Sequence, residues 1–86
     1  MGTGQARGAR EQDIEDWLVA YLAPLLSVRP DEIDRRRPFA EFGLDSLAAV
    51  TLSGELECWL DRDLSPTLAW DYPTIEALAR HLADDP

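Results

Sequence analysis

Ser46 is the hydroxyl whose neighbours best prepare it for chemistry. It stands in Gly43-Leu44-Asp45-Ser46-Leu47, between a glycine-containing turn and the start of a helically periodic segment. A serine there is held by backbone and faces solvent, where unpaired N–H groups and the helix dipole favour negative charge. That is a good place to hang a phosphodiester. It is also where a capping serine sits, and for the motif alone the cap is the commoner use. The other reactive groups offer less. Cys58 is the only cysteine, and His81, the only histidine, lies near the C-terminus, far in sequence from both Ser46 and Cys58. Nucleophilic catalysis needs a base within hydrogen-bond reach and a third group to orient it, and nothing here supplies them. His81 fits better as a cation at the negative end of a helix dipole. The carboxylates are numerous but scattered, without the spacing of a metal cage. Neither a catalytic residue nor a metal site is expected. Trp17, Trp59 and Trp70 are expected in or beside the core, because the basic groove that accompanies a base-stacking platform is missing.

The elements that must position Ser46 follow from periodicity. Ile14, Trp17, Leu18, Tyr21, Leu22, Leu25 and Leu26 make one stripe of an amphipathic helix that begins at Glu11. Glu11, Asp13, Glu15 and Asp16 crowd its first turns, where the dipole favours them. Pro24 cannot donate to the carbonyl of Ala20, so a kink or a loosened last turn is predicted. Residues 27–44 form a long connection with Val28, Ile33, Phe39, Phe42 and Leu44 as apolar anchors. Pro30 to Ile33 suits a single helical turn, and Arg35-Arg36-Arg37 reads as a solvated run offsetting nearby acids. Asp45 or Ser46 opens a second helix to about Leu60. Its core face is Ala49, Leu52, Leu56 and Leu60, with Ser53 and Trp59 beside them. Leu47, Val50 and Gly54 make a neighbouring face too apolar for a plain solvent side. A helical glycine costs about 1 kcal/mol relative to alanine, so Gly54 marks either a close approach or a tolerated surface position. Pro66 to Asp71 suggests one short turn carrying Leu68 and Trp70 inward. Thr74 is a natural N-cap for a last helix burying Ile75, Leu78, Ala79 and Leu82. No segment alternates as a strand would. The predicted fold is all-α: a small four-helix bundle of three principal helices and one short one, with a long first loop.

Bulk properties narrow the function. Eighty-six residues with 45% apolar content make one small domain with a thin core. The expected organisation is a disordered lead-in over 1–10, a domain over 11–83 and a tail over 84–86, in a chain that is either free-standing or excised from something larger. The net charge is −9, and every base is an arginine. Residues 1–44 carry eight acids against six arginines, while residues 45–86 carry nine against two. Nucleic acid and anionic membrane surfaces are therefore poor partners, and a basic protein surface approached with electrostatic steering is a better one. A lone cysteine forms no internal disulfide, and no apolar run is long enough to span a bilayer. Met1-Gly2 resembles a myristoylation start, but Ala6 stands where Ser or Thr is expected. A monomeric cytoplasmic domain is expected. On the residues alone, a rival reading is an acidic helical adaptor for a basic partner, with Ser46 only a helix N-cap.

Residues 11–83 resemble the acyl carrier proteins, in particular the carrier domains of polyketide synthases. The resemblance runs through Phe42-Gly43-Leu44-Asp45-Ser46-Leu47, then Ala49-Val50 and Leu52 to Leu56, then Trp70-Asp71-Tyr72-Pro73-Thr74 with Leu78 and His81-Leu82. It implies a non-catalytic carrier that bears 4′-phosphopantetheine on Ser46. The arm would come from coenzyme A by way of a separate Mg²⁺-dependent phosphopantetheinyl transferase. Acyl groups would ride on it as thioesters to polyketide or fatty-acid biosynthetic enzymes, with tethering raising their effective concentration. Asp-Ser-Leu resembles acyl more than peptidyl carriers. Asp45, Leu47, Val50, Gly54 and Glu55 match positions where such carriers meet ketosynthase- and acyltransferase-type partners. Leu52-Ser53-Gly54-Glu55-Leu56 departs from the more basic sequence common in modular synthases. This stretch and Leu64-Ser65-Pro66 onward look like carriers paired with fatty acyl-AMP ligases, which implies such a ligase as the loading enzyme.

Overall fold

The apolar stripe beginning at Ile14 becomes α1 (Glu11–Leu26), the first element of the computed structural model, which describes residues 10–84 and leaves the Asp84 side chain out. The lead-in expected over 1–10 therefore lies outside the described residues except for Arg10, as do Asp85 and Pro86 of the tail. Arg10 precedes α1 in extended conformation, and its N–H donates to the Asp13 carboxylate at 3.2 Å. The helix runs past Pro24 to Leu26. Its last turn then draws in: Ser27 adopts the left-handed conformation at φ 60°, its N–H reaching the carbonyl of Pro24 at 3.3 Å. The Val28 N–H closes the end on Ala23 O at 3.0 Å. The loosened last turn predicted at Pro24 is not found: the helix stays regular to Leu26 and ends in a capped stop.

The long loop is organised by two 3₁₀ turns, Pro30–Glu32 and Phe39–Phe42. Buried Ile33 and Phe39 anchor it to the core. Three helices follow: α2 (Ser46–Leu60), the single turn α3 (Leu68–Asp71) and α4 (Ile75–Asp84). The four-helix bundle is the one read from the sequence. Trp17 stacks on Trp59 at 5.2 Å, and Glu55 lies close enough to Tyr21 to bear on its ionisation, so α1 and α2 run in opposite directions. Glu11 faces Arg80 at 3.8 Å, while Arg35 joins Glu15, further along α1, to Glu76 at the start of α4, so α4 is antiparallel to α1 as well. Leu18, Leu22, Leu52, Leu56, Ile75 and Leu78 fill the space between them and are almost completely buried. Thr74 caps α4 as expected, its Oγ1 accepting the Ala77 N–H at 3.0 Å.

Two local expectations are corrected. Arg35 is not part of a solvated run. Its guanidinium donates to Glu15 at 2.8 Å and Asp16 at 3.0 Å on α1, while its carbonyl accepts the Glu76 N–H of α4 at 3.0 Å. One residue therefore ties the loop to two helices, whereas Arg36 and Arg37 make only looser pairs at 3.8 Å. Trp70 does not point inward. Positions 68 and 70 stand on opposite sides of a helix, so one turn cannot bury both. Leu68 and small Ala69 take the inward places, leaving Trp70 52% exposed.

Candidate functional site

The approach to Ser46 is made by a reversal that only glycine takes without strain. Gly43 ends the Phe39–Phe42 turn at φ 86°, its N–H bonded to Ala40 O at 3.1 Å. Leu44, half-buried, pins the chain as it turns into α2. Asp45 then caps that helix: its Oδ1 accepts the Ala48 N–H at 2.9 Å and its carbonyl accepts the Ala49 N–H at 3.0 Å. Ser46 is therefore not the N-cap. Between two adjacent residues that both cap well, the one in extended conformation has the geometry to reach back to the helix. This division of labour leaves the Ser46 side chain exposed at the first helical position. With Asp45 engaging the Ala48 and Ala49 amides, those of Ser46 and Leu47 remain for an outside acceptor at the positive end of the dipole.

Around this mouth the structure gathers most of the residues singled out by sequence. Leu47 is 74% and Val50 46% exposed, though both are large and apolar. Gly54 continues the same stripe of α2, and beyond its own chain neighbours and the backbone of its own helix no atom comes within 4 Å of where its Cβ would stand. Neither backbone strain nor packing inside the chain accounts for this glycine. Glu55 is exposed beside it. The groups a hydrolytic reading would need are elsewhere. Cys58 lies about 18 Å along α2 from Ser46, and the His81 ring stacks on Tyr72 at 4.0 Å. Among the described residues no cluster has the composition of a metal site, and no helix is long and apolar enough to cross a membrane.

An apolar cleft of about 50 Å³ opens beside the mouth, between the Pro38–Leu44 segment, the first turn of α2 and α3. The Phe39 N–H bonds to Pro73 O at 2.7 Å and holds its walls together. Trp70 stands at its rim. Neither the cleft nor the outward Trp70 was read from sequence; the only hint is the small Ala69 between two larger residues.

Residues 16–82 match the family described as phosphopantetheine attachment site. The chain belongs to the phosphopantetheine-binding carrier family. It is 44% identical over 81 residues to one of the subunits of the phenolphthiocerol/phthiocerol polyketide synthase from Mycobacterium tuberculosis. That match covers 94% of this chain but 4% of the relative. Among solved structures, an acyl carrier protein from Anabaena superposes with a TM-score of 0.83 at 41% identity, covering 91% of this chain and 89% of that one. A free-standing peptidyl carrier protein from Acinetobacter baumannii gives 0.82 at 38% identity, covering 88% and 95%. The cofactor of this family is covalently bound 4′-phosphopantetheine. The mouth of α2 fits that group, because its phosphodiester needs an exposed hydroxyl beside free amides, and Ser46 offers both.

Proposed function

We propose that Ser46 carries the arm and that the carrier, comprising residues 11–83, performs no bond-making on its cargo. The observation behind this assignment is that Asp45 has taken over the capping role, which leaves the Ser46 hydroxyl exposed at the positive end of α2. In the loading step the Ser46 oxygen forms a bond to phosphorus and loses its proton to a base of the transferase. The pyrophosphate bond of coenzyme A breaks and 3′,5′-ADP leaves. The bound group supplies a terminal thiol for thioester chemistry. The protein's own part is to hold the serine at a fixed point and shield the charge of the diester with the Ser46 and Leu47 amides. Intact mass after incubation with coenzyme A and a promiscuous phosphopantetheinyl transferase tests this assignment. The mass should rise by one arm in the wild type and stay unchanged in Ser46→Ala; no gain in folded wild-type protein would sink it.

The docking face in this reading comprises Leu47, Val50 and Gly54 along one stripe of α2, with Asp45 at its mouth and Glu55 beside Gly54. Exposed apolar residues with acids beside them suit partners that present an apolar patch ringed by Lys or Arg. We assign as partners the transferase, an acyl-loading enzyme, and ketosynthase- or acyltransferase-type enzymes, in a reducing cytoplasmic setting with the carrier as a monomer. A fatty acyl-AMP ligase as loading enzyme rests on the sequence resemblance alone. Reversing Glu55 to Lys should slow loading by the cognate enzyme several-fold at low salt, with the difference fading as salt rises. Equal rates at low salt would show that this charge does no steering. Glu57 is the wrong residue for that experiment, because its carboxylate accepts the Leu64 N–H at 2.8 Å.

A further inference from the structure

The cleft beside Ser46 has a size and a lining that select what can enter it. Leu44, Ala49, Phe39, Ala69, Trp70 and Pro73 give it an apolar wall throughout. Its volume of about 50 Å³ corresponds to roughly four water-sized groups. An extended acyl chain needs far more room. Ala49, on its wall, lies one helical turn beyond Ser46, so the two Cβ atoms are about 5–6 Å apart. Whatever enters without folding back on itself must therefore belong to the part of the arm nearest the serine.

In 4′-phosphopantetheine that part is chemically distinctive. The phosphate ester oxygen is followed by one methylene and then by a quaternary carbon bearing two methyl groups. This is the apolar portion of the arm proper, and the amides and thiol lie beyond it. We propose that the cleft between Phe39, Ala49, Ala69 and Trp70 receives the geminal methyl groups of the pantoyl unit and so fixes the direction in which the arm leaves Ser46. The inference rests on Ser46 being the attachment point. A compact branched group fills a small pocket better than a linear chain, and burying two methyls there removes apolar surface from water on both sides. Trp70 then has a role that explains its exposure: its ring flanks the cleft and would cover the methyls once they are seated.

The test uses carrier loaded from coenzyme A carrying ¹³C in the pantoyl methyl groups, with intact mass confirming attachment in every sample. Carbon-edited nuclear Overhauser spectra should show contacts from these methyls to the Ala49 and Ala69 methyls and to the Trp70 ring. The two methyl proton signals should separate and move upfield of their positions in coenzyme A. Ala69→Leu, which fills the cleft, should abolish the contacts. Trp70→Ala, at an exposed position, should remove the upfield shift even if Ala69→Leu fails to fold. Methyl signals at their coenzyme A positions without protein contacts, in protein whose mass shows the arm, would overturn the cleft assignment and leave Ser46 attachment standing. A missing mass gain would instead overturn the attachment itself. In carrier charged with an octanoyl thioester, contacts from the chain's methylenes to Ala69 that replace those of the pantoyl methyls would also overturn the proposal.

Discussion

At its C-terminal end α2 is tied into the bundle by every means available to a helix of this length. Trp59 stacks on Trp17, which in turn stacks on Tyr21 at 5.4 Å. Leu60 is buried, Glu57 holds the Leu64 N–H, and Arg62 just beyond the helix donates to Leu82 O at 2.8 Å. At its N-terminal end, four turns away, the same helix exposes a hydroxyl, Leu47 and Val50, with Trp70 of α3 also turned outward. The two ends differ in where their interactions go: at one they close within the chain, and at the other they are left for something outside it. A carrier needs both, since a group presented to several enzymes must stand on a base that does not shift as they come and go.

Truncating leucines at the two ends should separate them most sharply. Leu60→Ala removes a buried side chain and should cost about 2–4 kcal/mol, whereas Leu47→Ala should stay within about 0.5 kcal/mol; urea unfolding measures both. A cost at Leu47 comparable to that at Leu60 would break the contrast. Smaller, but confined to the mouth, is the split between cap and carrier. Asp45→Ala should lose about 1 kcal/mol, while Ser46→Ala should leave stability nearly unchanged, because alanine suits the first helical position and no bond of the serine side chain is lost. The reverse pattern in thermal unfolding would return the cap to Ser46.

The smallest effect belongs to the closed end. Burial, and behind it the Glu55 carboxylate, raises the Tyr21 phenol above its ordinary pKa of 10.0. The folded state then keeps this proton at a pH where the unfolded chain has lost it. Tyr21 therefore contributes stability that is full below the ordinary phenol pKa and drains away as pH rises above it. In urea midpoints measured on either side of that pKa, Tyr21→Phe should show a slightly shallower alkaline decline than wild type. An identical decline would show the phenol to be as solvated as in the unfolded chain.

How far the sequence reached depended on how many residues bore on each question. The faces of α2 and α4 were legible because each repeats its apolar positions over several turns, and those core positions are buried; on α1 the same signal found Ile14, Leu18 and Leu22 but also took in Leu25, which is exposed, and passed over buried Val19 and Ala23. Trp70 was misread because α3 is a single turn, too short for periodicity to choose which side faces in. Arg35 was misread because its partners Glu15 and Asp16 lie about twenty residues away in sequence and meet it only when the loop folds over α1. At the site, the serine and its setting were legible from a local motif, but the choice of cap was not, because Asp and Ser cap almost equally well and only backbone conformation separates them. The apolar cleft depends on three separate segments closing around Ala49, and no local pattern announces that.

The centre of the site is one residue standing free where its neighbour does the capping. Tandem mass spectrometry of proteolytic peptides from the transferase-treated wild-type protein addresses this directly, by locating the arm among the serines. The arm is predicted on Ser46, with none on Ser27, Ser53 or Ser65. An arm on any other serine, or an unmodified Ser46 peptide in protein whose mass has risen, would contradict it.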